Sequence, residues 1–331
     1  MALPTRLSQV QVSDPVKISG FPDHNERDTD LGACFGEFLR RIVPTSQAYV
    51  TAREIAESVA HHIASELYPR SDGDTGQLRH LIVGGIGKRT AIAPLTDVDL
   101  LVVLPRRLME QRSVNALKAI WALIKHRVPD TRFAPDNTGV IVPTEGVTVR
   151  VIPAANQDGA FLVPGFAGND RPAGWCVTNP IAEAATLRLA DSLYSGRPRL
   201  LLACLKAWKR HTQVPISAFA LELLVQDFYA GAPRPFGLGK ALIDFWAWVR
   251  KRTPTTLHPP GTHTPVAVTD AWHAKAKAAY WRVTLADYHA EQDKIVDAAL
   301  EWRAVLGDVF PVPGDDADSL PLFPATSNRR A

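Results

Sequence analysis

The chain has 331 residues, a formal net charge of +3 at pH 7, 46% apolar residues and 21% charged residues, which is an ordinary globular composition. No apolar run reaches the ~18 residues of a membrane helix, and the N-terminal stretch lacks the apolar core of a secretory signal, so we expect a cytoplasmic protein without a membrane segment. The small net charge argues against a protein that coats nucleic acid through a strongly basic surface, although it permits a local basic groove.

Strands and helices are both predicted in the first half of the chain. Residues 1–30 are polar and rich in turn formers, which predicts a loosely ordered lead-in. Apolar residues recur at helical spacing between 31 and 67, where two helices are expected. Four β-branched runs follow, with one helical run, "SVNALKAIWALIKHRV", among them: "HLIVGG", "VDLLVVLP", "TGVIVP" and "VTVRVIPA". This order predicts a mixed sheet with helices packed on it, in a core lobe that spans 31–178.

The second half of the chain is predicted to be a helical lobe, from 179 to 312. Its proline-rich segment 253–265 predicts an exposed loop, and residues 313–331 predict a flexible tail. Trp208 and Trp302 are expected to be core aromatics. The fold class expected is therefore α+β, with a cleft between the two lobes, where ligands usually bind.

Two aspartates, Asp97 and Asp99, open the run "DVDLLVVLP". Alternate residues of a strand face the same side, so the two carboxylates are expected to point together and to repel each other. A divalent cation, Mg²⁺ or Mn²⁺, removes this conflict by taking carboxylate oxygens and completing its shell with water and substrate phosphates. The motif is short and recurs by chance, and either aspartate could instead be a helix cap or a turn residue.

The stretch before the aspartates, "VGGIGKRT", predicts a phosphate-binding loop. Gly84 and Gly85 allow backbone amides to approach phosphate oxygens, and Lys88 and Thr90 add further donors. The lysine is not placed as in a P-loop. Loop and paired acids together predict the binding of a nucleoside triphosphate with a metal ion.

This segment resembles the signature of the polymerase-β-like nucleotidyltransferases, in which a Gly-Ser pair precedes Asp-x-Asp. It resembles more specifically the CD-NTases, the bacterial relatives of cyclic GMP-AMP synthase and oligoadenylate synthase. Four further stretches follow in the family's order, and the resemblance covers about residues 33 to 312: "VRVIPAA", "GWCVTNP", "LLACLKAWKRHTQVPISAFALELLV" and "EWRAVLGDVFP".

The resemblance implies a polymerase-β-like fold and a template-independent nucleotidyltransferase that makes cyclic or linear oligonucleotide signals in bacterial antiviral defence. A separate effector or regulatory protein is then the expected partner, besides the nucleoside triphosphates. By the same resemblance, Asp97 and Asp99 would be catalytic and hold the metal ions, and Lys206 and Ser217 would contact the triphosphate. From the residues alone, Lys206 could equally run along a helix face, and Ser217 could cap the next helix.

The sequence departs from the family pattern at two positions. Gly85 replaces the loop serine, which removes one hydroxyl but leaves the backbone amides. Arg150 replaces the third metal-binding acid. A guanidinium facing Asp97 and Asp99 could pair with them and take over the electrostatic role of a metal ion.

Three explanations of Arg150 remain open from the sequence. The protein could bind nucleotide without turnover, or it could stay active with one metal ion or with another acid, such as Glu145 or Asp158. Alternatively, the strand register could differ by one residue, which the alternation of valines around Arg150 disfavours.

Three classes of function follow from these patterns. The first is the nucleotidyltransferase, and the second is a nucleotidyltransferase fold that binds a nucleotide or a partner without catalysis. The third is a nucleic-acid-binding protein, for which the clusters "KAWKR" and "VRKR" could form a basic groove, although basic helix faces are usually only solvated.

Overall fold

The computed structural model describes residues 30–68, 78–105, 108, 112–157, 159–165, 174–231, 237–252 and 255–315. The predicted lead-in before residue 30, the predicted tail after residue 315 and Asp158 lie outside these ranges.

Two helices begin the described chain, as the apolar spacing predicted: α1 (Asp30–Ile42) and α2 (Ser46–Leu67). Thr45 caps α2, because its side-chain oxygen accepts a hydrogen bond from the amide of Ala48 at 3.2 Å. Helix α2 packs on the sheet, whereas α1 packs in the helical lobe, where the ring of Phe35 lies 4.9 Å from that of Trp302. The first helix therefore ties the two halves of the chain together.

The core lobe is built on a mixed sheet of seven strands in the order β1-β2-β5-β4-β3, with β6 pairing β5 and β7. Strands β2 and β5 are parallel, and the other neighbouring pairs are antiparallel. A short helical turn, α3, follows β1, and α4 follows β2. The bounds are β1 (His80–Val83), α3 (Gly84–Gly87), β2 (Asp97–Val103), α4 (Ser113–Lys125), β3 (Arg132–Phe133), β4 (Val140–Pro143), β5 (Thr148–Gln157), β6 (Ala160–Pro164) and β7 (Trp175–Thr178).

The second lobe is helical, as predicted, but it also contains a small hairpin. Strands β8 and β9 pair within the proline-rich region where only a loop was expected, and Leu257 of β8 is buried in the lobe's core. In the described part of the chain, no helix is both long and apolar enough to cross a membrane. The bounds are α5 (Pro180–Leu193), α6 (Arg197–Thr212), α7 (Ala218–Gly231), α8 (Leu238–Val249), β8 (Thr255–Leu257), β9 (Val266–Val268), α9 (His273–Glu291) and α10 (Ile295–Leu306).

The apolar core has two large parts, one in each lobe. In the helical lobe, four buried tryptophans, Trp208, Trp246, Trp272 and Trp302, belong to one cluster, which confirms that Trp208 and Trp302 are core aromatics. In the core lobe, α2 and α4 cover one face of the sheet through alternate residues of β2 and β5. The opposite face of these two strands is therefore the one that can carry a polar site.

Candidate active site between the two lobes

Asp97 and Asp99 lie together at the start of β2, on the face of the sheet opposite to α2 and α4. Val98 between them is fully buried, whereas Asp97 is exposed and Asp99 is half-buried. Thr96 donates a hydrogen bond to Asp97 at 2.7 Å. Among the described residues, none donates a hydrogen bond to Asp99, so its carboxylate remains available to a cation.

The turn after β1 lies directly against the carboxylate of Asp99. Gly84 has a φ of +62°, and a Cβ built there would lie 2.2 Å from Asp99 Oδ2. Only glycine fits this position, because a side chain would collide with the acid and would strain the backbone. At Gly85 a Cβ would lie 3.2 Å from that of Ala91, which is a tight contact but not a prohibitive one.

The surroundings of Asp99 disfavour its charge while no cation is bound. Its pKa is raised to about 6, chiefly by burial and also by the neighbouring charge of Asp97, while Arg150 and Lys88 act in the opposite direction. A divalent cation would reverse this penalty by compensating both carboxylates.

Lys206 reaches the end of the glycine turn from α6 in the helical lobe. Its ammonium donates to the carbonyl oxygen of Thr90 at 2.6 Å and to the Thr90 hydroxyl at 3.0 Å. Burial lowers its pKa to about 8, against the attraction of acids that include Asp97 and Asp99. Lys206 therefore places a cation from the helical lobe beside the turn and the acid pair.

Lys88, which the sequence suggested as a phosphate ligand, instead forms ion pairs with two buried glutamates of the helical lobe. It is buried, and its ammonium forms ion pairs with Glu183 of α5 at 3.0 Å and with Glu222 of α7 at 2.6 Å. Burial alone would lower its pKa, but the attraction of the two glutamates exceeds that effect and the pKa is raised. Lys88 therefore holds the turn against the helical lobe, through two glutamates that no motif in the sequence marks.

Ser217 caps helix α7 in the structure. Its hydroxyl oxygen accepts a hydrogen bond from the amide of Ala220 at 3.0 Å, and the side chain is exposed. The capping alternative is thus realised, and the hydroxyl lies at the N-terminus of a 14-residue helix, where an anion would be favoured.

Arg150 lies beside Asp99 but forms its ion pair with a different acid. The two residues are register neighbours on the parallel strands β2 and β5, so the expected register is present and the one-residue shift is excluded. The guanidinium of Arg150 donates to Asp136 at 2.6 Å and also contacts the Thr138 hydroxyl. The pairing with Asp97 and Asp99 that the sequence suggested is replaced by this contact with the turn before β4.

Asp136 is held in its charged form by hydrogen bonds from Thr138, which suits it to bind Arg150. It accepts hydrogen bonds from the amide and the hydroxyl of Thr138, at 3.1 and 2.8 Å. Burial tends to raise its pKa, but these hydrogen bonds and the charge of Arg150 outweigh burial, and the pKa is lowered. The sequence signal for this acid is the turn "PDNTG", which predicts a turn but not a partner for Arg150.

The acids present fit one divalent cation better than two. No group of three or more His, Cys, Asp or Glu side chains that could hold a metal ion occurs within the described ranges. Asp97 and Asp99 supply two carboxylates, which suits Mg²⁺ when substrate phosphates and water complete its shell. Glu145, the alternative acid considered from the sequence, is exposed on the turn before β5 and belongs to no such group.

The basic cluster on α6 does not form an open groove. Lys206 is directed at Thr90, and Arg210 donates to the carbonyl oxygen of Ala93 at 2.7 Å. Two of the cluster's cations are thus used to hold the segment between the glycine turn and β2. This arrangement gives little support to the nucleic-acid hypothesis.

Known proteins resemble this chain in structure rather than in sequence. No protein-family model and no curated protein matches it. Similar solved structures include CdnC of E. coli MS115-1 with ATP (17% identity, TM-score 0.65, 84% of this chain and 98% of that chain). They also include the Bradyrhizobium diazoefficiens CD-NTase CdnG with GTP (13% identity, TM-score 0.63, 86% of this chain and 97% of that chain). A third is the Vibrio cholerae cyclic AMP-GMP synthase DncV with a linear intermediate (13% identity, TM-score 0.61, 84% of this chain and 97% of that chain).

Proposed function

The chain has the fold of the CD-NTases, and we propose that it is a template-independent nucleotidyltransferase that joins nucleoside triphosphates into a cyclic or linear oligonucleotide signal. The observation that carries this proposal is the position of Asp99 directly beside the glycine turn, with Asp97 on the same face of β2 and Lys206 entering from the other lobe. Acids, turn and lysine come from three separate parts of the sequence. Their convergence supports a site for a triphosphate with its metal ion.

Each of these residues has a role that its chemistry suits. Asp97 and Asp99 would hold a Mg²⁺ or Mn²⁺ ion, which would neutralise charge on the triphosphate. The amides of the glycine turn would bind phosphate oxygens, and Lys206, largely protonated at pH 7 with a pKa of about 8, would pair with them. The Ser217 hydroxyl at the start of α7 offers a further donor.

Transfer would join a hydroxyl of one nucleotide to the α-phosphate of another. The acceptor oxygen forms the new phosphodiester bond, its proton passes to solvent or to an acid of the site, and pyrophosphate leaves. The contribution of the protein is to hold the two groups in line and to compensate charge.

The names of the structural neighbours support the product class and the setting. They include the Vibrio cholerae cyclic AMP-GMP synthase and a STING-associated c-di-GMP synthase from Capnocytophaga granulosa, and one CdnC structure is a complex with a HORMA protein. For this chain, we infer a nucleotide signal in bacterial antiviral defence, made in the cytoplasm and read or regulated by a separate protein.

Incubation of the full chain with the four ribonucleoside triphosphates and Mg²⁺ or Mn²⁺ tests the proposal. New oligonucleotides, resolved by chromatography, and released pyrophosphate are expected. Both should be lost in Asp97→Ala. The absence of product, together with metal-dependent nucleotide affinity that Asp97→Ala leaves unchanged, would overturn both the function and the site.

A second candidate function is the binding of a nucleotide or a partner without turnover. The ion pair between Arg150 and Asp136 favours it, because this cation stands where the family's third acid would stand. The same experiment distinguishes the two functions. Nucleotide binding that requires Asp97, without pyrophosphate release under either metal ion, would support the second one.

A further inference from the structure

Helix α9 exposes a row of large apolar side chains on one face. Trp281 is 64% exposed, Leu285 41% and Tyr288 56%, at positions that lie above one another on a helix. We call these three residues the α9 stripe. On the neighbouring helix α10, Val296 and Leu300 are also exposed.

Trp281, at one end of the stripe, packs against its neighbours. The ring of Tyr280 lies 5.3 Å from that of Trp281 in an edge-on contact, and the guanidinium of Arg250 stacks 4.1 Å above Tyr280. An ion pair between Arg282 and Glu301, at 2.8 Å, fixes α9 against α10. A large exposed aromatic side chain that is already ordered loses little entropy on binding, which is typical of an interface anchor.

We propose that the α9 stripe is the interface of a homodimer, in which α9 of a second copy packs antiparallel across a two-fold axis near Thr284. The charges on the helix select this arrangement. Lys277 lies seven residues before Thr284 and Glu291 lies seven residues after it. Both are exposed, and they are separated by about four turns, so they lie on the same flank of the helix.

An antiparallel copy places Lys277 of each chain beside Glu291 of the other, so the charge complementarity occurs twice. Neither residue forms an ion pair with another described residue of its own chain. In a parallel copy related by a two-fold axis, the Lys277 and Glu291 side chains of the two chains would lie on opposite flanks of the contact, so no lysine would face a glutamate. The charge pattern therefore favours the antiparallel direction of the second helix.

The apolar residues match the same register. With the axis near Thr284, Trp281 of one copy faces Tyr288 of the other, and the two Leu285 side chains meet close to the axis. Trp281 and Tyr288 are 64% and 56% exposed, so each can newly bury roughly 90–150 Å², and contributed twice they supply about a quarter to a third of the roughly 1,200–2,000 Å² that a stable dimer buries.

Sedimentation of the full chain between about 1 and 100 µM tests the dimer, because interfaces of this size commonly hold in that range. Lys277→Glu and Glu291→Lys should each raise the dissociation constant about tenfold, since each variant sets like charges opposite each other twice. The double variant should restore it to within about threefold of the parent, because the exchanged charges again attract.

Two leucine variants complete the test. Leu285→Arg should leave only monomer, because two guanidinium groups would meet at the axis. Leu189→Arg is the matched control, because Leu189 is 60% exposed on α5, outside the stripe, and this variant should remain dimeric. Unchanged circular dichroism and melting temperature would show that each variant is folded. A parent chain that is monomeric at about 100 µM, or a dimer that is insensitive to the charge exchange, would overturn the proposal.

Discussion

Asp99 and Arg150 are direct neighbours on the parallel strands β2 and β5, while the guanidinium of Arg150 is bound at 2.6 Å by Asp136. The arginine thus lowers the cost of charging Asp99 without forming an ion pair with it. Because Asp136 compensates the arginine, the acid pair retains its own capacity for a metal ion. Arg150 therefore does not take the place of a metal ion between Asp97 and Asp99.

Arg150→Asp should strengthen metal binding, because it removes a positive charge and adds a carboxylate beside Asp99. We expect the Mn²⁺ dissociation constant, measured by calorimetry with a non-hydrolysable nucleotide present, to fall about tenfold or more. Arg150→Gln is the matched control, since it removes the charge without adding a ligand, and it should give a smaller gain. An affinity that is equal in all three proteins would show that Arg150 does not act on the acid pair.

Gly84→Ala should disrupt the site, because the new methyl group would collide with Asp99 Oδ2 and strain a backbone with φ of +62°. The expected results are a loss of about 1–3 kcal/mol in the free energy of unfolding and at least tenfold weaker nucleotide binding. Gly85→Ala, in the same turn but without positive φ, should change both quantities much less. Urea denaturation and calorimetry measure the two effects, and equal behaviour of the two variants would contradict the described turn.

Lys88→Met should destabilise the fold strongly, because Glu183 and Glu222 would remain buried without a cation. We expect a loss of about 3–5 kcal/mol in urea denaturation, partly recovered when both glutamates are also changed to glutamine. The control Lys240→Met removes an exposed pair with Asp244 and should cost no more than about 0.5 kcal/mol. A stable Lys88→Met protein with weakened nucleotide binding would instead make Lys88 a phosphate ligand.

Local sequence patterns predicted the part of the site that lies on single elements. Alternation along β2 placed Asp97 and Asp99 on one face, and the valines of β5 placed Arg150 in the same row. These predictions succeeded because a strand with one buried face has only one acceptable register. The short strands β6 and β7 escaped prediction because their runs are brief and only partly buried.

Contacts between distant elements were not predictable in the same way. Lys88 and Glu222 are separated by 134 positions, and Asp136 meets Arg150 only when β4 pairs with β5. Periodicity defines which face of an element is buried, but it does not state which faces meet. One signal was present, because a glutamate within the apolar run "LELLV" must find a partner when that helix is buried.

Nucleotide affinity should fall as the pH rises through about 8, because Lys206 loses its charge there in the free protein. Below that pH the lysine is already protonated, and binding of a triphosphate requires no further proton. Above it, binding must take up a proton, so the affinity should decrease by up to about tenfold per pH unit. Lys206→Met is the matched control, since it should bind more weakly but show a flat profile between about pH 7.5 and 9.5. Calorimetric titrations of both proteins over this range measure the difference, and parallel profiles would exclude Lys206 as a contact of the triphosphate.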